Sequence, residues 1–249
     1  MKIWNSTDFC AYCPRNNEGL CECMLKILAE ESGLHSPNHF PLHNKQYLYH
    51  QGDQLCNIYI LKEGWILLTY TSEQGKRQVI RSVLSGDLLG FQPDLHGPSL
   101  YSAIVVQDSI ICEVPNILDM CKHSPELALK LVWSEACEIT LTELYMANIA
   151  HRNAQEKVAF MALELYQRLK FRGLNNGYII PFPLTQEDIA DTLGLTSIHV
   201  NRTLHKLEQD RLISIHNHEL VILDYKRLDA LVGLELKPIQ KCCNIGSIN

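Results

Sequence analysis

Glycine turn signals recur at near-regular intervals through residues 42–115, and they constrain the fold more than any other feature of the sequence. They stand in four segments, Gln51-Gly52-Asp53, Lys62-Glu63-Gly64, Glu73-Gln74-Gly75 and Ser85-Gly86-Asp87. The stretches between them are short and rich in β-branched and aromatic residues. Short strands separated by glycine turns at this spacing are typical of an antiparallel barrel or roll. We therefore predict an N-terminal antiparallel β-roll.

A helical period replaces the strand pattern after Pro115. Residues 126–150 contain neither glycine nor proline, and one set of positions recurs at alternating steps of three and four residues. This seam consists of Val132, Glu135, Ile139, Thr142, Met146 and Ile149. A seam of this kind over roughly three heptads indicates a coiled-coil-like helix that pairs with a second copy of the chain. Glu135 would then face its own copy, and the like charges would weaken the homodimer. The alternative is that this helix merely packs on the roll, and both can hold because Leu131, Leu141 and Leu144 lie off the seam.

The last third of the chain shows the pattern of a winged helix-turn-helix. Thr185 is an N-cap candidate with Asp188 three residues later, and Gly194 can adopt the left-handed turn that joins two helices. The second helix is predicted over residues 197–209, and two short strands then pair across Asn217-His218.

The outward face of this second helix predicts binding to double-stranded DNA. An ordinary helical hairpin gives no reason for His199, Asn201 and Arg202 to stand together on that face. Arg202 can form a bidentate contact with a guanine edge, worth about 1–3 kcal/mol of discrimination. The predicted contact residues are Ser197, Ile198, His199, Asn201, Arg202 and Lys206. In a homodimer, two such helices would lie one helical turn apart on a palindromic promoter site.

Charge and composition exclude several other classes of protein. With 46% hydrophobic residues the chain is not disordered, and its net charge of −6 excludes a uniformly basic coat for nucleic acid. The local positive surface that DNA binding requires should come from residues 151–172 and 196–216 together. No apolar stretch reaches 18 residues and the first residues lack a signal-peptide core, so we expect a soluble cytoplasmic protein with no membrane partner. The sequence shows no nucleophile paired with a base and no H-E-x-x-H spacing of metal ligands. We therefore expect no enzymatic activity.

Four of the ten cysteines lie within the first 24 residues. Cys10-x2-Cys13-x7-Cys21 offers three thiolates in one short segment, and thiolates select zinc, copper(I) or iron–sulfur clusters. A four-iron cluster needs a fourth ligand, which could be Cys23 or a remote cysteine. The spacing by itself is equally compatible with zinc and with iron.

Residues 10–232 resemble the bacterial Crp/Fnr regulators. The similarity is carried by Gly86-Asp87-Leu88-Leu89-Gly90-Phe91 in the roll and by Val200-Asn201-Arg202-Thr203-Leu204 in the recognition helix. The cysteine loop resembles that of FNR-type (FnrN- and FnrL-like) oxygen sensors, and residues 108–115 are similar to the segment that holds their distant fourth ligand. The resemblance implies a [4Fe-4S] cluster on Cys10, Cys13, Cys21 and Cys112. It also implies a transcription activator that contacts RNA polymerase, with the loop at residues 91–97 as one candidate contact.

The chain departs from the family pattern in two places. Cyclic-AMP-binding relatives carry an Arg-Ser pair and an acidic residue in the roll, whereas residues 97–103 contain no arginine. We therefore expect no cyclic AMP as effector, because its phosphate would lack a counter-charge. The family usually places a glutamate four residues before the recognition arginine, but here Ile198 stands there. Ile198 cannot accept a hydrogen bond from cytosine, although it can contact a thymine methyl group.

The predicted architecture is an α+β chain with five parts. These are a cysteine-rich cluster-binding loop (1–24), a β-roll sensor domain similar to cyclic-nucleotide-binding domains (25–120), a dimerisation helix (121–150), a winged helix-turn-helix domain (151–232) and a C-terminal tail (233–249). The alternative is the same DNA-binding scaffold with a structural zinc, or no metal, and a small-molecule effector in the roll.

Overall fold

The computed structural model describes residues 38–233 of the chain. The cysteine loop predicted at residues 1–24 lies outside the described residues, as does the C-terminal tail beyond Gly233. The chain divides into two compact units between Ser134 and Glu135, inside its longest helix.

The first unit is the predicted antiparallel β-roll. Its long strands β3 and β6 pair with each other along most of their length, and β6 also pairs with β1 and β2 while β3 pairs with β4 and β5. The strands are β1 (Asn38–Leu42), β2 (Tyr47–Tyr49), β3 (Ile58–Thr71), β4 (Arg77–Leu84), β5 (Leu88–Leu89) and β6 (Ser102–Val114).

One predicted turn is wrong. Lys62-Glu63-Gly64 does not end a strand, because β3 continues through it and only its register with β6 shifts there. Gly64 has a φ of +100°, and a Cβ at this position would lie 2.6 Å from Ser109 Cα and closer still to Ser109 Oγ. A bulge that brings two strands this close together requires glycine for the same conformational reason as a turn does. The sequence signal is therefore the same for both.

Two helices follow the roll. The short helix α1 (Ile117–His123) was not predicted, and the long helix α2 (Pro125–His151) confirms the helix expected over residues 126–150. The first two turns of α2 bury Leu127 and Leu131 in the first unit.

The buried side chains of the first unit form two clusters. One fills the inside of the roll, with Leu61, Ile66, Val83, Leu89 and Ile111 among its members. The other, which we call the Cys112 cluster, joins the roll to α1 and the start of α2. It consists of Ile58, Ile60, Leu88, Cys112, Val114, Ile117, Met120, Leu127 and Leu131.

The second unit is built around helix α3 (Ala154–Phe171), whose side chains are buried from Val158 to Leu169. Asn153 caps this helix in a capping box with Glu156. Around it pack three further helices, α4 (Gln186–Leu193), α5 (Ser197–Gln209) and α6 (Tyr225–Val232).

A small antiparallel sheet completes the second unit. Strands β8 (Ile213–His216) and β9 (Glu219–Ile222) form the predicted hairpin across Asn217 and His218, both of which have positive φ. The sequence did not predict β7 (Ile179–Pro181), which pairs with β9. The unit is therefore a winged helix-turn-helix, as predicted. Within residues 38–233, no helix combines the length and the hydropathy needed to span a bilayer.

Candidate nucleic-acid interface and metal ligands

Helices α4 and α5 form a helix-turn-helix with well-defined caps. The Thr185 hydroxyl accepts from the backbone N–H of Asp188 at 3.1 Å, and Asp188 Oδ2 accepts from the backbone N–H of Thr185 at 3.0 Å. Gly194 ends α4 with a φ of 63°, and Thr196 caps α5. These caps fix where each helix begins and ends, because they satisfy backbone groups that lack partners inside the helix.

Helix α5 buries one face and exposes the other. Val200, Leu204 and Leu207 point into the unit, as predicted from the sequence. Five of the six predicted DNA-contacting residues are exposed, and they are Ser197, Ile198, His199, Arg202 and Lys206. The sixth, Asn201, is half-buried, and its Nδ2 donates to Gln186 Oε1 at 3.1 Å.

The two basic side chains on the exposed face of α5 differ in whether an ion pair occupies them. Lys206 Nζ forms an ion pair with Asp210 Oδ1 at 3.0 Å, whereas Arg202 forms no ion pair with any residue in the range 38–233. An exposed guanidinium can donate two parallel hydrogen bonds to the guanine O6 and N7 atoms. The geometry of Arg202 is therefore compatible with reading a base.

The predicted contribution of residues 151–172 to a positive surface is partly wrong. Arg168 and Arg172 are each only 3% exposed, and Arg168 Nη1 donates to the buried carboxylate of Glu164 at 3.2 Å. Arg152 Nη1 donates to the carbonyl oxygen of Val232. Sequence counting could not separate buried arginines from surface ones, since both carry the same formal charge.

The predicted dimerisation seam leaves apolar side chains exposed along α2. Val132 is 67% exposed, Ile139 59% and Met146 65%, and these three lie seven residues apart. Thr142 is also exposed, whereas Glu135 and Ile149 are half-buried. Exposure of three large apolar side chains at heptad spacing indicates a helix–helix contact surface.

Cys112 is 4% exposed and lies in strand β6, opposite Ile60 of β3 and His39 of β1. Cys121 packs against the same cluster, and burial raises the pKa of its thiol. Cys10, Cys13 and Cys21 lie outside the described residues. Within residues 38–233, no group of three or more histidine, cysteine or acidic side chains is placed to hold a metal.

Residues 97–103, which were predicted not to bind a cyclic nucleotide, are held in place by hydrogen bonds that Ser99 forms. Ser99 is buried, and its hydroxyl donates to the Tyr101 carbonyl oxygen at 2.7 Å. Its backbone exchanges hydrogen bonds with Gly52 and Asp53 on the opposite loop. No arginine lies between residues 97 and 103, and the absence of cyclic AMP as an effector remains a prediction.

Two contacts in the second unit were not predicted from the sequence. Gln186, the first residue of α4, contacts the recognition helix through Asn201. Tyr145 of α2 donates to the buried Glu164 of α3. The polar residue at the start of α4 was visible in the sequence, but its partner fifteen residues away was not.

Comparison with known proteins identifies the family. The family model of the cyclic nucleotide-binding domain matches residues 40–122, and that of the Crp-like helix-turn-helix domain matches residues 156–231. The transcriptional activatory protein AadR of Rhodopseudomonas palustris is 32% identical over 192 residues, which span 76% of this chain and 79% of that protein. The chain belongs to the Crp/Fnr family of transcription regulators.

Other Crp/Fnr relatives match over a similar span. Electron transport regulator A of Shewanella oneidensis is 28% identical over 78% of both chains, and the fumarate and nitrate reduction regulatory protein of Vibrio cholerae is 29% identical over 78% of both. The fold is that of FixK2 from Bradyrhizobium japonicum, with a TM-score of 0.70 and 24% identity over 78% of this chain and 96% of that one. Crp/Fnr regulators bind DNA as dimers and interact with RNA polymerase. This chain is accordingly a DNA-binding transcription regulator.

Proposed function

We propose that this chain is a cytoplasmic, homodimeric transcription activator whose promoter binding is controlled by an oxygen-labile [4Fe-4S] cluster. Cys10, Cys13, Cys21 and Cys112 would hold the cluster. The observation that carries the proposal is the position of Cys112, which packs in one buried cluster with Leu127 and Leu131 of α2. A ligand at this position connects the metal site directly to the proposed dimerisation helix.

The donor set fits the proposed group. Four cysteine thiolates are the ligands that [4Fe-4S] clusters take in proteins. Of the four proposed ligands, Cys112 lies within residues 38–233, where it is surrounded by aliphatic side chains and is nearly inaccessible to water. Apolar surroundings keep water away from an iron–sulfur cluster. Solvent exposure is one of the factors that set the reduction potential of such a cluster. When bound, the cluster would supply an iron centre that reacts with oxygen.

The chain's own residues provide a route from Cys112 to the seam. Cys112 and Leu131 belong to the same buried cluster, and the next residue along α2 is Val132, the first exposed seam residue. Protein interiors are close-packed, so a change in the position of one buried side chain displaces its neighbours. A shift of β6 at Cys112 would therefore alter how the first turns of α2 pack.

Dimerisation in turn controls DNA binding. One recognition helix contacts only a few base pairs, so stable binding needs two α5 helices in successive major grooves of a palindromic site. Arg202 would read a guanine in each half-site, and the loop at residues 91–97 would contact RNA polymerase. Cyclic AMP is not the effector in this proposal.

The test is promoter binding by protein purified without air. Anaerobic protein should bind a palindromic promoter fragment at least about tenfold more tightly than the same sample after exposure to air. Equal affinity before and after aeration would contradict oxygen control. The Arg202→Ala variant should lose binding in both states, which shows whether α5 is the reading helix.

A further inference from the structure

Gln186 and Asn201 connect the two helices of the helix-turn-helix on its exposed side. Asn201 Nδ2 donates to Gln186 Oε1 at 3.1 Å. The capping box of Thr185 and Asp188 fixes the backbone on both sides of Gln186. Asn201 is held between Val200, which is fully buried, and Arg202, which is exposed. The hydrogen bond therefore joins two residues whose backbones are already rigid.

This hydrogen bond determines how the Asn201 amide is oriented. An asparagine side chain presents an acceptor oxygen and a donor nitrogen, and a rotation of 180° about its last bond exchanges them. In the structure Gln186 presents its Oε1, which can only accept, toward α5, and with the Gln186 amide in this orientation Asn201 Nδ2 faces α4. Asn201 Oδ1 then faces away from α4.

A fixed amide can distinguish bases that a rotating amide cannot. Asparagine reads adenine by accepting from N6–H with its oxygen while donating to N7 with its nitrogen. A primary amide has two N–H groups, so Nδ2 can donate one to Gln186 and the other to a base. Asn201 keeps both the acceptor and the second donor that an adenine contact requires.

We propose that Gln186 is a positioning residue that orients Asn201 to read an adenine beside the guanine read by Arg202. This inference rests on the reading role proposed for α5 and is independent of the iron–sulfur cluster. Gln186 itself contacts no base in this arrangement. It sets base preference at one position of each half-site, through the amide of Asn201.

The experiment is a competition assay with the full-length protein and a set of promoter fragments that carry every base at each half-site position. Asn201→Ala should reduce the preference for adenine at one position roughly tenfold. Gln186→Ala should reduce the preference at that same position severalfold, and should add nothing in the Asn201→Ala background. Gln186→Glu retains the acceptor, so it should keep the base preference even if its negative charge weakens binding to all fragments equally.

Controls separate this inference from the proposed reading helix. Gln209→Ala, which removes a glutamine from the exposed end of α5, should leave every preference unchanged. If Arg202→Ala keeps normal guanine preference, the proposed reading role of α5 is wrong. If Arg202→Ala loses that preference but Gln186→Ala keeps the full base profile, only the role assigned to Gln186 is overturned. The same holds if Gln186→Ala weakens binding to all fragments alike.

Discussion

The Tyr145 hydroxyl donates to Glu164 Oε2 at 3.0 Å and so ties the long helix α2 to α3. Glu164 is fully buried, and its other oxygen accepts from Arg168 at 3.2 Å. Burial raises the pKa of Glu164, against the opposing effects of Arg168 and the Tyr145 hydrogen bond. The Tyr145 ring also packs edge-on against Phe160, with centroids 5.2 Å apart. The helix that carries the proposed dimer seam is thus joined to the core of the DNA-binding unit by a polar network.

Removal of the Tyr145 hydroxyl should destabilise the protein. Tyr145→Phe keeps the ring but leaves Glu164 with one partner fewer, at a cost of about 1–2 kcal/mol in the free energy of unfolding. Urea denaturation measures this loss. Tyr178→Phe is the matched control, because Tyr178 is 51% exposed and should change stability by less than about 0.5 kcal/mol. Equal stabilities for the two variants would show that the network contributes nothing.

Tyr49 should make stability fall at alkaline pH. Burial raises the pKa of Tyr49 to about 12, although Arg81 and a hydrogen bond from the Gly90 backbone act in the opposite direction. The unfolded chain therefore releases this phenol proton at lower pH than the folded chain does. Stability is lost as pH rises from about 10 to 12, by about 1 kcal/mol between pH 9 and 11. Urea denaturation of wild type and Tyr49→Phe across this range should show a smaller loss in the variant, and parallel curves would refute the assignment.

A charge on the exposed seam of α2 should prevent dimer formation. Ile139→Asp places two carboxylates in an apolar contact and should raise the dimer dissociation constant at least about 30-fold. Ala147→Asp is the matched control, since Ala147 is exposed on the same helix but lies off the seam. Sedimentation of both variants under anaerobic conditions tests this. A dimer that tolerates Ile139→Asp as well as Ala147→Asp does not form through this seam.

Removal of the seam carboxylate should have the opposite effect. In a symmetric pair Glu135 faces its own copy, so Glu135→Ala removes a repulsion and should shift the metal-free protein toward dimer by roughly fivefold. Sedimentation over a range of protein concentrations measures the shift. An unchanged monomer–dimer balance would place Glu135 away from the two-fold axis.

The sequence predicted those parts of the fold that depend on local pattern. The Thr185 cap, the Gly194 turn, the 197–209 helix and the long helix α2 are all confirmed. In each case, the residues that determine the element lie within it or beside it. The wing hairpin across Asn217 and His218 belongs to the same group.

The parts that the sequence did not predict depend on partners distant in the chain. Strand β7 forms by pairing with β9, which lies about forty residues later in the chain. Gly64 stands at a bulge and not at a turn, and the close approach of Ser109, 45 residues later, is what requires glycine there. Burial of Arg168 follows from its ion pair with Glu164 in the packed core of the second unit. The contact of Gln186 with Asn201 required the angle between two helices, which no local pattern specifies.

Iron and acid-labile sulfide analysis of protein purified without air tests the central proposal most directly. Wild type should contain about four irons and four sulfides per chain. Cys112→Ala should lose them while keeping its circular dichroism spectrum, whereas Cys56→Ala, which removes an exposed cysteine of the same unit, should keep them. Iron and sulfide at wild-type levels in Cys112→Ala would move the fourth ligand elsewhere, with Cys23 as the next candidate. Wild-type protein with zinc, or without iron and sulfide, would contradict the account.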